Sequence, residues 1–296
     1  MKTERLRQLK KYKNFSFYKG SICSKKFMQK IFISNNFTYV LNLAAQAGVR
    51  YSITNPYTYL NNNVSGFLNI LEFSRKNLVK HLVYASSSSV YGLNIKKRPI
   101  STADPASHPL AIYGVTKRTN ELMAHSFSSL YSLPTTGLRY FTVYGPWGRP
   151  DMALFKFVSS ILKNKIIKLF NHGNHIRDFT YIDDVVELTY RAVLKIPKKS
   201  KTINEYSSLV PWKIYNICSS RPIHLKYFIK LISDKINKNV RFNNLKMQQG
   251  DVLKTHGDNK ITLRELGYKP KFNIKKGISN FIEWYFKFYK IKNEKN

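Results

Sequence analysis

Tyr113 and Lys117 are one helical turn apart, and together they could act as a general base. On a helix, residues four apart lie about 40° from each other around the axis, so the phenol and the ammonium would share one face. A positive charge near a tyrosine lowers the pKa of its phenol toward neutral pH. Because the chain contains 20 tyrosines, such a pair also arises by chance and needs support from other residues.

A run of four serines, residues 86–89, gives that support because it lies at the end of a predicted strand. Ligands of parallel sheets bind at the carboxyl ends of the strands, where serine hydroxyls can bond a substrate oxygen. The alternative interpretation is a serine-rich loop that caps the next segment. Taken together, the serines, Tyr113 and Lys117 predict a serine, a tyrosine and a lysine that act jointly on one substrate.

Alternating strands and helices are predicted to position these residues. Short apolar runs predict strands at residues 15–20, 39–43, 81–87, 135–141 and 214–218. Helical spacing of apolar residues predicts helices at residues 56–77, 112–131, 153–163, 184–194 and 280–289. This alternation predicts an α/β protein in which helices cover a parallel sheet.

The charge balance favours anionic ligands. The chain has 50 lysine and arginine residues against 16 acidic ones, a formal net charge of +34. Such an excess is also found in proteins that bind nucleic acid, but no basic stretch matches a nucleic-acid-binding module, so we expect no such partner. Cys23 and Cys218 form no disulfide or zinc pattern, no apolar run is long enough to span a membrane, and we expect a cytoplasmic protein.

Two other groups of polar residues have structural interpretations. His172, His175 and Asp178 could be drawn as metal ligands, but their segment is loop-like and we expect no metal. Asp183 and Asp184 precede a predicted helix, where carboxylates bond free backbone N–H groups and offset the helix dipole. We therefore predict that they cap this helix.

Five motifs resemble those of bacterial and plant UDP-glucuronate 4-epimerases, which belong to the extended short-chain dehydrogenase/reductase family. They are LAAQAGVRYS (43–52), YASSSSVYG (84–92), YGVTK (113–117), RYFTVYGPWGRPDMALFKF (139–157) and RDFTYIDDV (177–185). The resemblance implies a doubly wound, Rossmann-type parallel sheet and a smaller C-terminal substrate-binding domain. It assigns residues 1–150 to NAD binding and 151–296 mainly to UDP-sugar binding, with some segments returning to the first domain.

The resemblance also implies roles for individual residues. Tyr113 matches the base that takes the proton of the sugar 4-hydroxyl while C4 gives hydride to NAD, Lys117 matches the residue that holds the nicotinamide ribose, and Ser87 matches the hydroxyl that bonds the same sugar oxygen. Those on the cofactor side are Ala44, Ala45, Asn63, Tyr113, Lys117, Tyr140 and Phe141. Those on the substrate side are Ser87, Ser88, Thr142, Arg149 and Arg177.

The implied reaction converts UDP-glucuronate to UDP-galacturonate through a 4-keto intermediate, in the supply of precursors for capsule or other polysaccharides. Arg149 could pair with the glucuronate carboxylate. Two alternatives stay open. One is a related nucleotide-sugar epimerase or dehydratase, such as a UDP-glucose 4-epimerase, and the other is an inactive fragment that binds only a UDP-sugar or a partner. Family members are often homodimers, so a homodimer is possible.

The start of the sequence departs from the family pattern. Family members open with a strand, a GxxGxxG turn that binds the NAD pyrophosphate, a helix and a second strand, and this sequence has no such unit. Ser21 stands where the family usually has an aspartate that faces the adenine. We therefore expect a sheet with a gap or an exposed apolar edge. The true start could lie upstream, another polypeptide could supply the unit, or the chain could be inactive.

Overall fold

A four-stranded parallel sheet is the main sheet of the protein, and its strands come from both halves of the sequence. The computed structural model describes residues 1–93 and 97–291. The strands of this sheet, in spatial order, are β1 (Tyr39–Asn42), β2 (His81–Ser87), β3 (Thr135–Tyr140) and β7 (Trp212–Ile217). Every neighbouring pair is parallel. The predicted α/β class with a Rossmann-type sheet is confirmed.

Helices cover both faces of this sheet. The helices of the chain are α1 (Lys2–Leu9), α2 (Lys25–Ile33), α3 (Tyr51–Thr54), α4 (Pro56–Tyr59), α5 (Gly66–Lys76), α6 (Ile112–Tyr131), α7 (Ala153–Leu162), α8 (Ile182–Leu194), α9 (Leu225–Ile236), α10 (Lys260–Leu266) and α11 (Ile274–Tyr289). Successive side chains of β2 alternate between faces. Leu82 packs with α5 and α6, whereas Val83 packs with α8 and α10.

A second core lies among the remaining elements. Its strands are β4 (Thr142–Tyr144), β5 (Ile167–Phe170), β6 (Ile176–Tyr181), β8 (Pro222–His224) and β9 (Phe242–Leu245). β4, β6 and β8 form one sheet and β5 and β9 form another. Aromatic side chains from α7, α9 and α11 fill this core, in which Phe179 and Phe228 stack with their ring centroids 4.1 Å apart. The division into two domains near residue 150 stays a prediction.

The predicted helix over residues 56–77 contains a π-helical turn. α4 continues through a π-helical segment, Leu60–Ser65, into α5. π-turns inside helices are rare and are frequent at functional sites. This turn buries Asn63, which is 1% exposed, beneath the carboxyl end of the sheet.

The predicted strand at residues 15–20 is wrong, because this segment has no regular secondary structure. A strand needs a partner for its backbone hydrogen bonds, and in the described part of the chain β1 pairs only with β2. Phe17 and Tyr18 are exposed instead. On β1, Tyr39 and Leu41 are also exposed, so the sheet has the expected apolar edge.

The predicted hydrogen bonds from Asp183 and Asp184 to the first turn of α8 are not formed, although both carboxylates lie in that turn, where they offset the helix dipole. Asp184 is buried and accepts hydrogen bonds from the Tyr268 hydroxyl (2.7 Å) and from the backbone N–H groups of Lys271 (2.8 Å) and Phe272 (3.1 Å). This carboxylate therefore joins α8 to a distant segment.

Because His81 is buried, we predict that the protein loses stability in mild acid. Its ring nitrogens contact the Val193 carbonyl (2.9 Å) and the Thr136 hydroxyl (2.8 Å). Burial lowers the pKa of His81 to about 4, whereas a hydrogen bond to Val193 opposes this. The unfolded ring titrates near 6.5, so the stabilisation is complete above about pH 6.5 and is lost as pH falls to about 4.

We expect this group to remove roughly 3 kcal/mol from the free energy of unfolding over that pH range. The measurement is urea unfolding at a series of pH values, with His81→Gln as the test variant. His81→Gln should flatten this part of the pH dependence, while His172→Gln, at an exposed position, should keep the parent's dependence. Equal slopes for the parent and His81→Gln would contradict the assignment.

Candidate active site

The carboxyl ends of β1, β2 and β3 lie side by side at one edge of the sheet, since the three strands are parallel and adjacent. Residues 43–48 follow β1, residues 88–91 follow β2 and Phe141 follows β3. Helix α6 begins at Ile112 and packs on the same edge. These elements bring together Tyr113, Lys117 and Ser87, which were predicted from their types and spacing.

Tyr113 lies close enough to Ser87 for the Ser87 hydroxyl to act on its pKa, while Ser87 Oγ donates to Ser89 Oγ over 3.2 Å. Burial raises the pKa of the Tyr113 phenol, while Ser87 and the positive charge of Arg149 act to lower it. The expectation that Lys117 lowers this pKa stays a prediction, since the ammonium of Lys117 bonds the Ala85 carbonyl in this structure.

The ammonium of Lys117 bonds the end of strand β2. Lys117 Nζ donates to the Ala85 carbonyl over 2.7 Å, and the residue is only 3% exposed. Burial lowers the pKa of Lys117 to about 8, and the negative charge of Glu121 opposes that shift. The cation therefore lies beside Ser87, within the polar end of the sheet.

The loop after β1 is held by residues that the sequence did not identify in this role. The Asn63 amide accepts from Gln46 N (2.7 Å) and donates to Gln46 O (3.0 Å) and to the Thr116 hydroxyl (3.0 Å). The Tyr59 hydroxyl donates to the carbonyls of Ala47 (3.1 Å) and Gly48. These bonds position Ala44 and Ala45, which lie in the same loop.

Tyr59 also contacts the reactive phenol directly. Its ring packs edge-on against Tyr113 with the centroids 6.1 Å apart, and Tyr59 is fully buried. Asn63 was expected to pack against NAD, whereas its amide is used within the protein. The roles of Tyr59 and Asn63 could not be predicted from the sequence, because apolar residues at 3.6-residue spacing do not reveal a π-turn.

Tyr140, at the end of β3, and the next two residues, Phe141 and Thr142, have different surroundings. The Tyr140 hydroxyl is bonded to the Thr189 hydroxyl (2.9 Å), on α8. Phe141 is buried against the Tyr91 ring, with centroids 6.4 Å apart. Thr142 lines a large cavity. The cofactor-side roles of Tyr140 and Phe141 stay predictions.

A cavity of about 820 Å³ is lined by Arg50, by Thr142 and by residues of the second core, and several of these side chains are cationic. Arg177 Nη2 pairs with Asp251 Oδ1 over 2.8 Å, and Arg50 lies 3.8 Å from the same carboxylate. His175 also lines this cavity. Two guanidinium groups facing one carboxylate leave a positive excess that suits phosphate oxygens. Arg177 was predicted, whereas Arg50 and Asp251 were missed because single charged residues in loops carry no sequence pattern.

Arg149 lies at the entrance to the site, close enough to Tyr113 to lower its pKa. Its Nε donates to Asp151 Oδ1 over 3.0 Å, and the two side chains are 43% and 56% exposed. Arg5, from α1, donates to the carbonyls of Trp147 and Gly148, just before Arg149. The first helix thus holds the loop that carries this arginine.

His172, His175 and Asp178 do not form a metal site in the described structure. Within residues 1–93 and 97–291, no cluster of three or more histidine, cysteine, aspartate or glutamate side chains could hold a metal ion. Asp178 is buried and accepts from the Ser219 hydroxyl (2.7 Å) and from the backbone N–H of Gly257 (3.1 Å). Its role is to join segments of the fold.

The NAD dependent epimerase/dehydratase family matches residues 1–217 of the chain. Because this match covers more than half of the 296 residues, the chain belongs to that family. Among relatives, protein CapI of Staphylococcus aureus is 48% identical over 295 residues, which cover 98% of this chain and 88% of that protein. UDP-glucuronate 4-epimerase 4 of Arabidopsis thaliana is 40% identical and covers 91% of this chain and 63% of that protein.

Solved structures show the same fold. UDP-glucuronic acid 4-epimerase from Bacillus cereus, in complex with UDP-glucuronic acid and NAD, has a TM-score of 0.86 at 28% identity, covering 97% of this chain and 87% of that one. UDP-glucose 4-epimerase from Thermotoga maritima, with UDP-glucose, has a TM-score of 0.84 at 28% identity, covering 94% and 86%. In the described part of this chain, no helix has the length and apolarity to cross a bilayer.

The effect of Ser87 on Tyr113 leads to a prediction that does not depend on turnover. Ser87→Ala removes the hydroxyl that lowers the pKa of Tyr113, so we expect that pKa to rise further. The measurement is an NMR titration of ring-labelled tyrosine, with Tyr113 assigned by its loss in Tyr113→Phe. Ser126→Ala, at an exposed position on α6, is the control. An unchanged titration of Tyr113 in Ser87→Ala would refute the contact.

Proposed function

We propose that this chain is an NAD-dependent 4-epimerase that interconverts UDP-glucuronate and UDP-galacturonate through a 4-keto intermediate. The observation that carries the proposal is the gathering of Ser87, Tyr113 and Lys117 at the carboxyl ends of the parallel strands. The relatives named UDP-glucuronate 4-epimerases support the choice of substrate.

The three polar side chains have distinct parts in this proposal. Tyr113 accepts the proton of the sugar 4-hydroxyl, and Ser87, which lies close to Tyr113, fixes the same oxygen. When bound, NAD supplies the hydride acceptor for C4. Lys117 has three N–H donors, one of which is used on Ala85, so it can also bond a ribose hydroxyl.

The residues present fit one end of NAD. Lys117, Tyr113 and the loop of Ala44 and Ala45 are gathered at the strand ends, where a nicotinamide ribose can be held. We therefore propose that residues 1–150 form the NAD-binding part, with these side chains at its nicotinamide end.

The substrate diphosphate is assigned to the large cavity in the second part of the chain. Arg177 and Arg50 provide paired donors for phosphate oxygens, and Thr142 lines the same space. Arg149, whose charge acts on Tyr113, is assigned to the sugar carboxylate. Residues 151–296 thus supply most contacts to the nucleotide sugar in this proposal.

The cellular setting belongs to the same proposal. Two free cysteines suit a reducing compartment, and we assign the protein to the cytoplasm. The product would serve as a precursor of capsule or other polysaccharides, a role that the name of CapI supports. A homodimer is also proposed, and sedimentation velocity would detect it.

Assays of UDP-glucuronate and UDP-glucose, with and without added NAD, test the proposed activity. Conversion of UDP-glucuronate to its C4 epimer, faster than conversion of UDP-glucose, is expected. Preference for UDP-glucose would favour the related neutral-sugar epimerase. If UDP-sugars bind but neither is converted, and no nicotinamide is bound, the chain is a binding fragment and the proposed activity is wrong.

Arg149→Lys tests the assignment of the sugar carboxylate. Oxidation of C4 makes a β-keto acid, which loses carbon dioxide when the C–C bond aligns with the carbonyl π system. Arg offers paired, directed donors that can fix the carboxylate, whereas Lys offers a point charge. We expect a larger share of UDP-pentose product or a lower turnover, measured by chromatography of the products.

Arg75→Lys is the matched control, since Arg75 pairs with Glu72 away from the site. UDP-glucose is the second control, because it has no carboxylate to lose. Unchanged kinetics and products for Arg149→Lys with UDP-glucuronate would remove Arg149 from the proposal.

A further inference from the structure

Glu121 is a buried carboxylate one turn beyond Lys117 on helix α6, and it is not exposed at all. It accepts hydrogen bonds from the Ser86 hydroxyl (2.6 Å), from Arg139 Nε and Nη2 (2.8 and 2.9 Å) and from Arg118 Nη1 (2.9 Å). A buried carboxylate is tolerated when all its oxygens have such donors. The sequence did not identify this cluster.

The cluster keeps Glu121 ionised. Burial acts to raise the pKa of Glu121, but Arg139, Ser86 and Arg118 outweigh it, and the pKa lies below its usual range. Tyr84 on β2 and Tyr91 after β2 also face the cluster, and the Arg139 guanidinium lies 4.7 Å from the centre of the Tyr91 ring. A permanent negative charge is thus held inside the protein.

The contact of Glu121 on strand β2 lies between the residues that face Lys117 and Tyr113. Ala85 accepts from Lys117, Ser86 donates to Glu121, and Ser87 lies close enough to Tyr113 to act on its pKa. Through Arg139, Glu121 also fixes β3 one residue before Tyr140. One carboxylate therefore holds together the helix and the strand that carry the reacting groups.

We propose that Glu121 is a positioning residue for the reaction, which holds Ser87 and Lys117 in register with Tyr113 through Ser86 and Arg139. This inference rests on the proposed function. Glu121 touches neither substrate nor cofactor in this assignment, since its oxygens are bonded to protein donors. Its charge also favours the ammonium form of Lys117 against the effect of burial.

Glu121→Gln separates this role from a purely structural one. The amide has nearly the same shape but no charge, so the pKa of Lys117 should fall below about 8. If the ammonium is needed, the alkaline limb of the kcat profile moves to lower pH. We also expect kcat to fall roughly tenfold to a hundredfold, with KM for the UDP-sugar changing less than about twofold.

Two further variants complete the comparison. Ser86→Ala removes a bond to Glu121 but keeps its charge, so kcat should fall while the alkaline limb stays in place. Glu187→Gln removes a carboxylate that pairs with Arg191 on the surface, and it should change neither. Glu121→Gln leaves Arg139 buried without its partner, so Glu121→Gln with Arg139→Met is the alternative if the single variant does not fold.

NMR titration of lysine labelled at the ε-carbon provides a measurement without turnover, with Lys117 assigned by its loss in Lys117→Arg. A lower pKa of Lys117 in a folded Glu121 variant supports the inference, and an unchanged titration together with an unchanged pH profile overturns it. If the parent protein converts no UDP-sugar, the proposed function fails, while the titration still decides whether Glu121 controls Lys117.

Discussion

The contact between helix α6 and the carboxyl end of β2 is the constraint on which the site depends. Ala85 and Ser86 of β2 bond Lys117 and Glu121 of the helix, and the next residue, Ser87, lies close to Tyr113. The helix residues are four apart, so they form one face. The arrangement that would perform chemistry is therefore the same arrangement that docks the helix onto the sheet. A shift of either element would disturb both.

Much of the fold could be predicted from the sequence where an element is long or strongly apolar. Strand β2 and helix α6 have the predicted bounds, because a buried apolar run and a Pro134 stop mark their limits. Residues 15–20 have a similar apolar run, yet they form no strand. Whether an apolar run forms a strand depends on a neighbouring strand with which it can pair, and the sequence pattern does not show that neighbour.

Some residues of the candidate site could also be predicted from the sequence, and others could not. Tyr113, Lys117 and Ser87 were identified because their types and spacing have chemical meaning. Glu121 and Arg139 were not, since charged residues in an apolar pattern are usually assigned to the surface. Glu121 and Arg139 lie 18 residues apart in the chain, and they come into contact only when β3 is part of the sheet. Polar networks of this kind depend on tertiary contacts that local pattern cannot predict.

The scarcity of acidic residues makes the buried ones informative. Only 16 acidic residues accompany 50 cationic ones, yet Glu121, Asp178 and Asp184 are all buried and bonded to several donors. Each of these three joins segments that are far apart in sequence. The exposed cations therefore have few acidic partners within the protein, and the surface favours anions. In the large cavity, Arg177 is held in place by its ion pair with Asp251.

Asp151 explains how a uronic acid could bind without disturbing the base. Arg149 contributes positive charge that lowers the pKa of Tyr113, and its guanidinium is paired with Asp151. If a sugar carboxylate took the place of Asp151, as the proposed role of Arg149 implies, one negative partner would replace another. The field at Tyr113 would then change little, and the tyrosine would still depend on Ser87 and on groups at the strand ends. With a neutral sugar, Arg149 would stay paired with Asp151. Uronic-acid and neutral-sugar substrates would then differ in what Arg149 binds, and not in the surroundings of Tyr113.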